Sequence, residues 1–513
     1  MPETVQTGNV VLGGGEAGKY IAWHLAEQGQ QVVVIERGLV GGSCPNVACL
    51  PSKNVIHSAR VAHLVNRAAS YGVDVEMARV DMARVRQRKR DMVDGLIGIH
   101  QRKFAVPRLE FLIAEGVLVA PRTVEARLPD GGRRRFVAER LFLDLGTRAT
   151  MPAIPGLGDA RPLTHVEALD LDRLPSHLVV IGGGYVGLEF AQAFRRFGSH
   201  VTVLEAGTQL LGREDADVAA AVRTLFEDDG IEVLLEAETQ SVEGRSGERI
   251  RLRVRTPGGD RTIVGSDILV AAGRTPNTDG VGLEGAGIGL DARGYVQVDE
   301  HLRTTASGVW AMGDCAGSPQ FTHVAFDDFR VVRDTLAGTL RSTSARLIPS
   351  CVFIDPPLAR VGLDENSARQ RGLAVRVASI PMSAVLRARA LGETRGFMKM
   401  LLDIDSDRIR GFTMLGPDAG EVLAVVQTAM LAGMPYTGLR DAILTHPTMA
   451  EGLTVLLSAV PPDMGTRMAA RALARWEGEG GRVRMPGSDA EAGGRDLRGT
   501  QGRSVDRTSL KYG

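Results

Sequence analysis

GNVVLGGGEAGKYIAWHLAEQGQQVVVIER, residues 8–37, decides the fold. A short β-branched run leads into Gly13-x-Gly15-x-x-Gly18, an amphipathic stretch follows, and a second β-branched run ends in Glu36. Strand, glycine turn, helix and strand in that order make a βαβ unit. The glycines permit a tight turn and close approach of a pyrophosphate, and the helix N-terminus offers that anion free N–H groups and a positive dipole end. Glu36, 18 residues past Gly18, is placed to accept from a ribose hydroxyl. The pattern returns as SHLVVIGGGYVGLEFAQAFRRFGSHVTVLEA, residues 176–206, with Gly182-x-Gly184-x-x-Gly187 and Glu205 at the same spacing. Leu188, Phe190, Ala191, Phe194 and Phe197 supply its helical apolar stripe. The chain is therefore α/β, with two Rossmann-like dinucleotide-binding halves. An acid at Glu205 accepts from a free 2′-hydroxyl and repels a 2′-phosphate, which favours NADH and leaves NADPH possible; Arg213 tempers the preference.

Between the two units lies GGSCPNVACLPSK, residues 41–53, with Cys44 and Cys49. In an ideal helix residues five apart rise by about 7.5 Å, beyond the roughly 7 Å Cα limit for a disulfide. A bridge therefore requires a distorted segment, as Pro45 and Pro51 allow. A helix N-terminus would favour the reactive thiolate. The alternatives are two buried cysteines or half a zinc site. Cys315 and Cys351 are isolated and form no second pair, so redox use is favoured and no metal ligand is assigned.

These motifs resemble the class I pyridine nucleotide–disulfide oxidoreductases: glutathione reductase, dihydrolipoamide dehydrogenase and mercuric reductase. The resemblance runs from about residue 8 to 460, and implies that the first loop (Gly13, Gly15, Gly18, Glu36) holds FAD and the second (Gly182, Gly184, Gly187, Glu205) holds NAD(P)H. WAMGDCAG resembles the second FAD motif, with Asp314 bonding the ribityl chain. LGTRATMPAIPG, with Gly146 and Thr147, and AAGRTPNT, with Gly273 and Arg274, resemble the crossings between the FAD and NAD domains. By the same resemblance Cys49 is the thiol beside the flavin and Cys44 the interchange thiol. Lys53 pairs with Glu189 near the flavin, and Tyr185 gates the nicotinamide pocket. THPTMAE supplies His446 as acid/base for Cys44, oriented by Glu451 and contributed across an obligate two-fold homodimer. His57 is read as packing. Ala48 stands where the family usually has Gly.

The implied activity is an NADH-to-FAD-to-disulfide relay that reduces a metal ion such as Cu(II) or Hg(II), or a small disulfide. The alternatives are oxidation of dihydrolipoamide, or a flavoprotein without productive turnover. GDCAGSPQFTHVAFDDFRVVRD and LRARALGETRGF look most like a mercuric-reductase-like branch that includes reactive-chlorine-response copper reductases. The vicinal cysteine pair of mercuric reductases is absent from the C-terminal part of this sequence.

The rest of the sequence fits. At 513 residues the expected organisation is an FAD domain at 1–150 and 274–345, an NAD(P) domain at 151–273, an α+β dimerisation domain at 346–462 and a disordered tail at 463–513, with a short helix around Met464–Trp476. Lys plus Arg equals Asp plus Glu at 61 each, which gives no pull toward nucleic acid or anionic membrane. No apolar run is long enough to span a bilayer and no secretory pattern opens the chain, so a cytoplasmic setting is expected. Residues from about Pro51 to Lys103 read as helical, and their basic run (Arg84, Arg86, Arg88, Lys89, Arg90) as a solvated face.

Overall fold

The first βαβ unit forms as the sequence dictates: strand Glu3–Leu12, helix Glu16–Glu27, strand Val32–Glu36. The two strands pair in parallel through Asn9–Leu12 and Val32–Ile35, and both are buried there. This is a computed structural model, and it describes residues 3–76, 79–339 and 341–462. The sheet continues in the order Leu109–Ile113, Val32–Glu36, Glu3–Leu12, Arg133–Leu143, Thr123–Arg127, Glu115–Ala120, with Val309–Ala311 pairing parallel to Arg133–Leu143. That last strand comes from far along the chain, so the first nucleotide unit is completed by sequence beyond the second.

The second unit is a four-stranded parallel sheet, ordered Glu232–Leu234, His200–Leu204, His177–Ile181, Asp267–Val270. Helix Tyr185–Phe197 packs on it through Leu188, Phe190, Phe194 and Phe197, all buried. Three antiparallel strands, Glu238–Arg245, Arg249–Thr256 and Gly259–Gly265, come between Glu232–Leu234 and Asp267–Val270 in the chain. The chain enters and leaves this unit through a two-stranded ribbon, Thr147–Ala149 against Arg274–Pro276. The C-terminal part is a five-stranded antiparallel sheet, Pro349–Val352, Leu358–Gly362, Ile409–Leu415, Phe397–Asp403 and Val375–Pro381. Helix Ala419–Leu431 covers it over a core rich in methionine (Met382, Met398, Met400, Met414, Met449).

Two expectations need correction. The helical stretch expected over Pro51–Lys103 is divided into Cys49–Asn66 and Met82–Phe104, because the chain turns at Ala68–Tyr71 and Gly72 takes a left-handed conformation (φ +74°). Nor is its basic run wholly solvated. Lys89 is buried against Asp170 at 2.7 Å, Arg90 meets the same carboxylate at 3.1 Å and Arg86 reaches Asp172 at 2.8 Å. These pairs hold the helix to the segment that precedes the second unit. The expected tail at 463–513, including Met464–Trp476, lies outside the described residues. Among the described residues no helix is long and apolar enough to cross a membrane.

Candidate redox and dinucleotide site

The cysteine segment breaks where bridging demands it. A short helix, Ser43–Asn46, ends at Val47, Ala48 leaves helical geometry (φ −129°, ψ −104°), and Cys49 opens helix Cys49–Asn66. Pro51 falls in the first turn, where no intrahelical N–H is needed. The break brings Cys44 and Cys49, both free thiols, close enough for each to shift the other's ionisation. The neighbouring Cys44 thiol pushes the Cys49 thiol down to about 6, helped by Thr322, whose Oγ1 is 3.2 Å from Cys49 Sγ, and by the Lys53 charge. Cys44 moves the opposite way: with Cys49 beside it, and partly buried, it holds its proton more tightly. The pair is thus divided into a thiolate and a thiol.

One turn further along the same helix, Lys53 Nζ reaches both carboxylate oxygens of Glu189, at 3.0 and 2.8 Å. Glu189 is buried and also accepts from the Phe353 N–H, while the ammonium lies 4.6 Å from the Phe353 ring centre. His57, on the same helix, is exposed, which goes against its reading as a packing residue.

The two glycine loops are built alike. Gly14 N–H donates to Glu36 Oε2 at 2.8 Å, and Gly183 N–H to Glu205 Oε2 at 2.7 Å. A Cβ on Gly18 would lie 2.3 Å from Gly13 O, and one on Gly187 2.0 Å from Gly182 O, so both glycines are required for the helix to pack on the turn. Gly184 differs: an added Cβ would meet nothing within 4 Å. The open space lies at the start of helix Tyr185–Phe197, whose first N–H groups have no intrahelical partner. The second loop therefore has room for a nucleotide pyrophosphate, whereas at the matching Gly15 of the first loop a Cβ would meet Asp144 Oδ2 at 2.6 Å. Tyr185, first residue of that helix, is held by a hydrogen bond to the buried Glu214 at 3.1 Å, and burial raises its phenol to about 12.

At the ribbon, Asp314 Oδ2 accepts from Thr147 Oγ1 at 2.6 Å, and the same hydroxyl accepts from Arg274 Nε at 2.6 Å. Gly146 turns with φ +65°, and Gly273 O receives the Thr150 N–H. Thus Gly146, Thr147, Gly273, Arg274 and Asp314 meet at one crossing. His446 stands apart. Its Nδ1 is 2.9 Å from Glu451 Oε1, but the ring is 61% exposed, and Ile443 nearby is fully exposed. The chain does not bring this pair to its own cysteines.

Sequence reasoning missed Thr322, Glu214 and Asp144. Each acts across the fold, Asp144 on Gly18 and Thr322 on Cys49, with no periodic signal to announce it. Among the described residues Asp215, Asp217 and Glu365 lie close enough to share a metal ion, but Lys399 Nζ is 2.9 Å from all three and already takes the place a cation would occupy between them.

Paired loops, a split dithiol and a crossing ribbon define a two-nucleotide disulfide oxidoreductase. The chain belongs to that family: residues 8–328 match the pyridine nucleotide-disulphide oxidoreductases, which use FAD and NAD(P)H, and residues 348–456 match their dimerisation domain. It is an oxidoreductase. Among its relatives is the probable pyridine nucleotide-disulfide oxidoreductase RclA of Escherichia coli (strain K12), 35% identical over 88% of this chain and 98% of that protein. A solved Cu(II) complex of RclA, an HOCl-induced flavoprotein disulfide reductase, matches with a TM-score of 0.81 over 88% of this chain and 99% of that one. The mercuric reductase of Acidithiobacillus ferrooxidans is 33% identical over 88% of this chain and 82% of its own length. The dihydrolipoyl dehydrogenase of Geobacillus stearothermophilus is 31% identical over 90% and 97%.

Proposed function

We propose that this chain is an NADH-preferring reductase whose Cys44–Cys49 pair opens and closes to deliver electrons to a metal ion or a small disulfide. The observation that carries this reading is the placing of the two thiols on either side of a helix break, with Cys49 3.2 Å from Thr322 Oγ1 and lowered to about 6, four residues before the Lys53–Glu189 pair. FAD, bound by Gly13, Gly15, Gly18, Glu36 and Asp314, would supply the two-electron step between NAD(P)H and sulfur. Gly182, Gly184, Gly187 and Glu205 hold the nicotinamide dinucleotide, with Tyr185 over its pocket. Lys53, fixed by Glu189, keeps a cation beside the redox helix, where it favours reduced, more negative states. Gly146, Thr147, Gly273 and Arg274 fix the crossing. The domain limits 1–150 with 274–345, 151–273 and 346–462 go with these roles.

Cys44 meets the acceptor. His446 of the partner subunit, oriented by Glu451, takes the Cys44 proton, and the thiolate attacks. With a disulfide acceptor, Cys44 forms a mixed disulfide and one acceptor sulfur leaves. Cys49 thiolate then displaces the second, closing the Cys44–Cys49 bond, and the imidazolium returns the proton. With Cu(II), closing the disulfide releases two electrons to two ions; one Hg(II) takes both. The dimerisation-domain match and the exposure of His446 and Ile443 support a homodimer.

The His446–Glu451 pair and the likeness to dihydrolipoyl dehydrogenase favour a second reading, in which the same groups oxidise dihydrolipoamide. NADH oxidation measured side by side with Cu(II), Hg(II), glutathione disulfide and lipoamide separates the two. Dominant turnover with a metal ion or with glutathione disulfide is expected; dominant lipoamide turnover refutes the preference.

A further inference from the structure

Asp144 belongs to no motif, yet it forms the floor of the first glycine loop. It follows strand Arg133–Leu143, its N–H donating to Leu12 O at 2.8 Å, and its side chain turns under the start of helix Glu16–Glu27. There Oδ2 accepts from the Gly18 N–H at 2.7 Å. Gly18 is the third residue of the helix, so a side chain from another strand has taken one of the N–H groups a helix start leaves open. The enclosure is tight. A Cβ on Gly15 would lie 2.6 Å from Oδ2, and a Cβ on Gly313 3.0 Å from Oδ1.

Little in this enclosure stabilises an anion. Among the described residues the Gly18 N–H is the one donor to the carboxyl, whereas low-pKa carboxylates accept two or three. The charged groups facing it are acids from each neighbouring element: Glu16 on the helix, Glu36 at the end of the second strand, and Asp314 beside Gly313. Cys315, in the same short turn as Asp314, is a neutral buried thiol raised to about 12. Two cations are close, but both are engaged: Lys19 is 2.7 Å from Glu16, and Arg274 bonds Thr147 and lies 3.8 Å from Asp314. The loop that would receive a doubly charged pyrophosphate thus already holds a buried acid under its helix.

We propose that Asp144 is present in the flavin-loaded protein as a neutral carboxylic acid, and that its ionisation sets the upper pH limit for FAD retention. The proposal rests on the first loop being the FAD loop. Burial, with the neighbouring acids adding to it, raises the Asp144 carboxyl to about 8 in the flavin-free protein. The added phosphates raise it further, so FAD binding and proton binding help each other. Affinity is then constant at pH below the flavin-free value. It falls as pH rises through that value, by up to roughly tenfold per pH unit, until the flavin-bound value is passed.

The test uses holoenzyme diluted into buffers from about pH 6 to about pH 9, with released FAD read by its fluorescence against free FAD at each pH. Wild-type retention should weaken at least several-fold between about pH 7.5 and 9, and Asp144→Asn should hold FAD equally well across the range. Asp144→Ser, small, neutral and able to accept from Gly18, repeats the test should the asparagine variant fail to fold. Wild-type retention that does not vary with pH, or neutral variants that keep the wild-type slope, overturns the proposal. Glu36→Ala tests the underlying assignment. Weaker FAD retention at every pH supports the first loop as the FAD loop, and unchanged retention removes FAD from that loop and the role of Asp144 with it.

Discussion

Removing the Thr322 hydroxyl should deplete the Cys49 thiolate near neutrality. Thr322 opens helix Thr322–Leu336, and its Oγ1, 3.2 Å from Cys49 Sγ, donates to the sulfur when that sulfur is ionised. Valine keeps the β-branched shape and removes the donor. A hydrogen bond to a charged group contributes about 1.5–3 kcal/mol, and one pKa unit corresponds to about 1.4 kcal/mol. Thr322→Val should therefore raise Cys49 from about 6 by roughly one to two units. At pH 7 the thiolate fraction would fall from about nine-tenths to about half or less. The assay is a pH titration of the two-electron-reduced protein, following the long-wavelength absorption of a thiolate lying against oxidised flavin. The midpoint should move up in Thr322→Val and return in Thr322→Ser. A midpoint that stays put or moves down refutes the claim that this hydroxyl holds the sulfur as an anion.

Gly184→Ala tests the open space in the second loop: its φ of −86° suits alanine and its Cβ meets no protein, so thermal stability should hold. The KM for NADH should rise roughly tenfold or more, as expected where crowding costs about 1–3 kcal/mol. An unchanged KM would take the dinucleotide off that loop. Glu205→Ala should raise the kcat/KM ratio of NADPH to NADH, and an unaltered ratio contradicts the role given to that acid. Lys399→Met leaves Asp215 buried without its cation and should cost about 3–5 kcal/mol in denaturant unfolding; a loss under 1 kcal/mol would show the cluster is not the tie it looks to be. His63 and His165 are each lowered to about 4, chiefly by burial. Folded pKa values below the unfolded one mean stability is complete above about pH 6.5 and is lost as pH falls toward 4. The double variant His63→Gln, His165→Gln should flatten the decline of Tm over that window, and an unaltered slope would exclude these rings as its source.

What could be read from the sequence was local. The glycine spacings, the acids at the second-strand ends and the proline-flanked cysteines sit within short windows, and the structure builds each as its residue types require. Even the need for a break between Cys44 and Cys49 followed from helix geometry, and Val47–Ala48 supplies it. The missed features are long-range. Asp144 looks like the polar end of a strand until the strand sets it under Gly18. Lys399 is one polar residue in an apolar strand until three acids from two other helices and a loop close around it. The basic run at Arg84–Arg90 has a solvated pattern, yet Asp170 and Asp172, some eighty residues on, draw part of it inward.

The most direct measurement is an anaerobic titration of the purified flavoprotein with NADH, followed by absorbance and by a count of free thiols. The first equivalent should bring up the thiolate–flavin absorption together with two new thiols, and Cys49→Ser should abolish both. Flavin that simply bleaches, with no such band and no gain of thiols, would contradict the account at its centre.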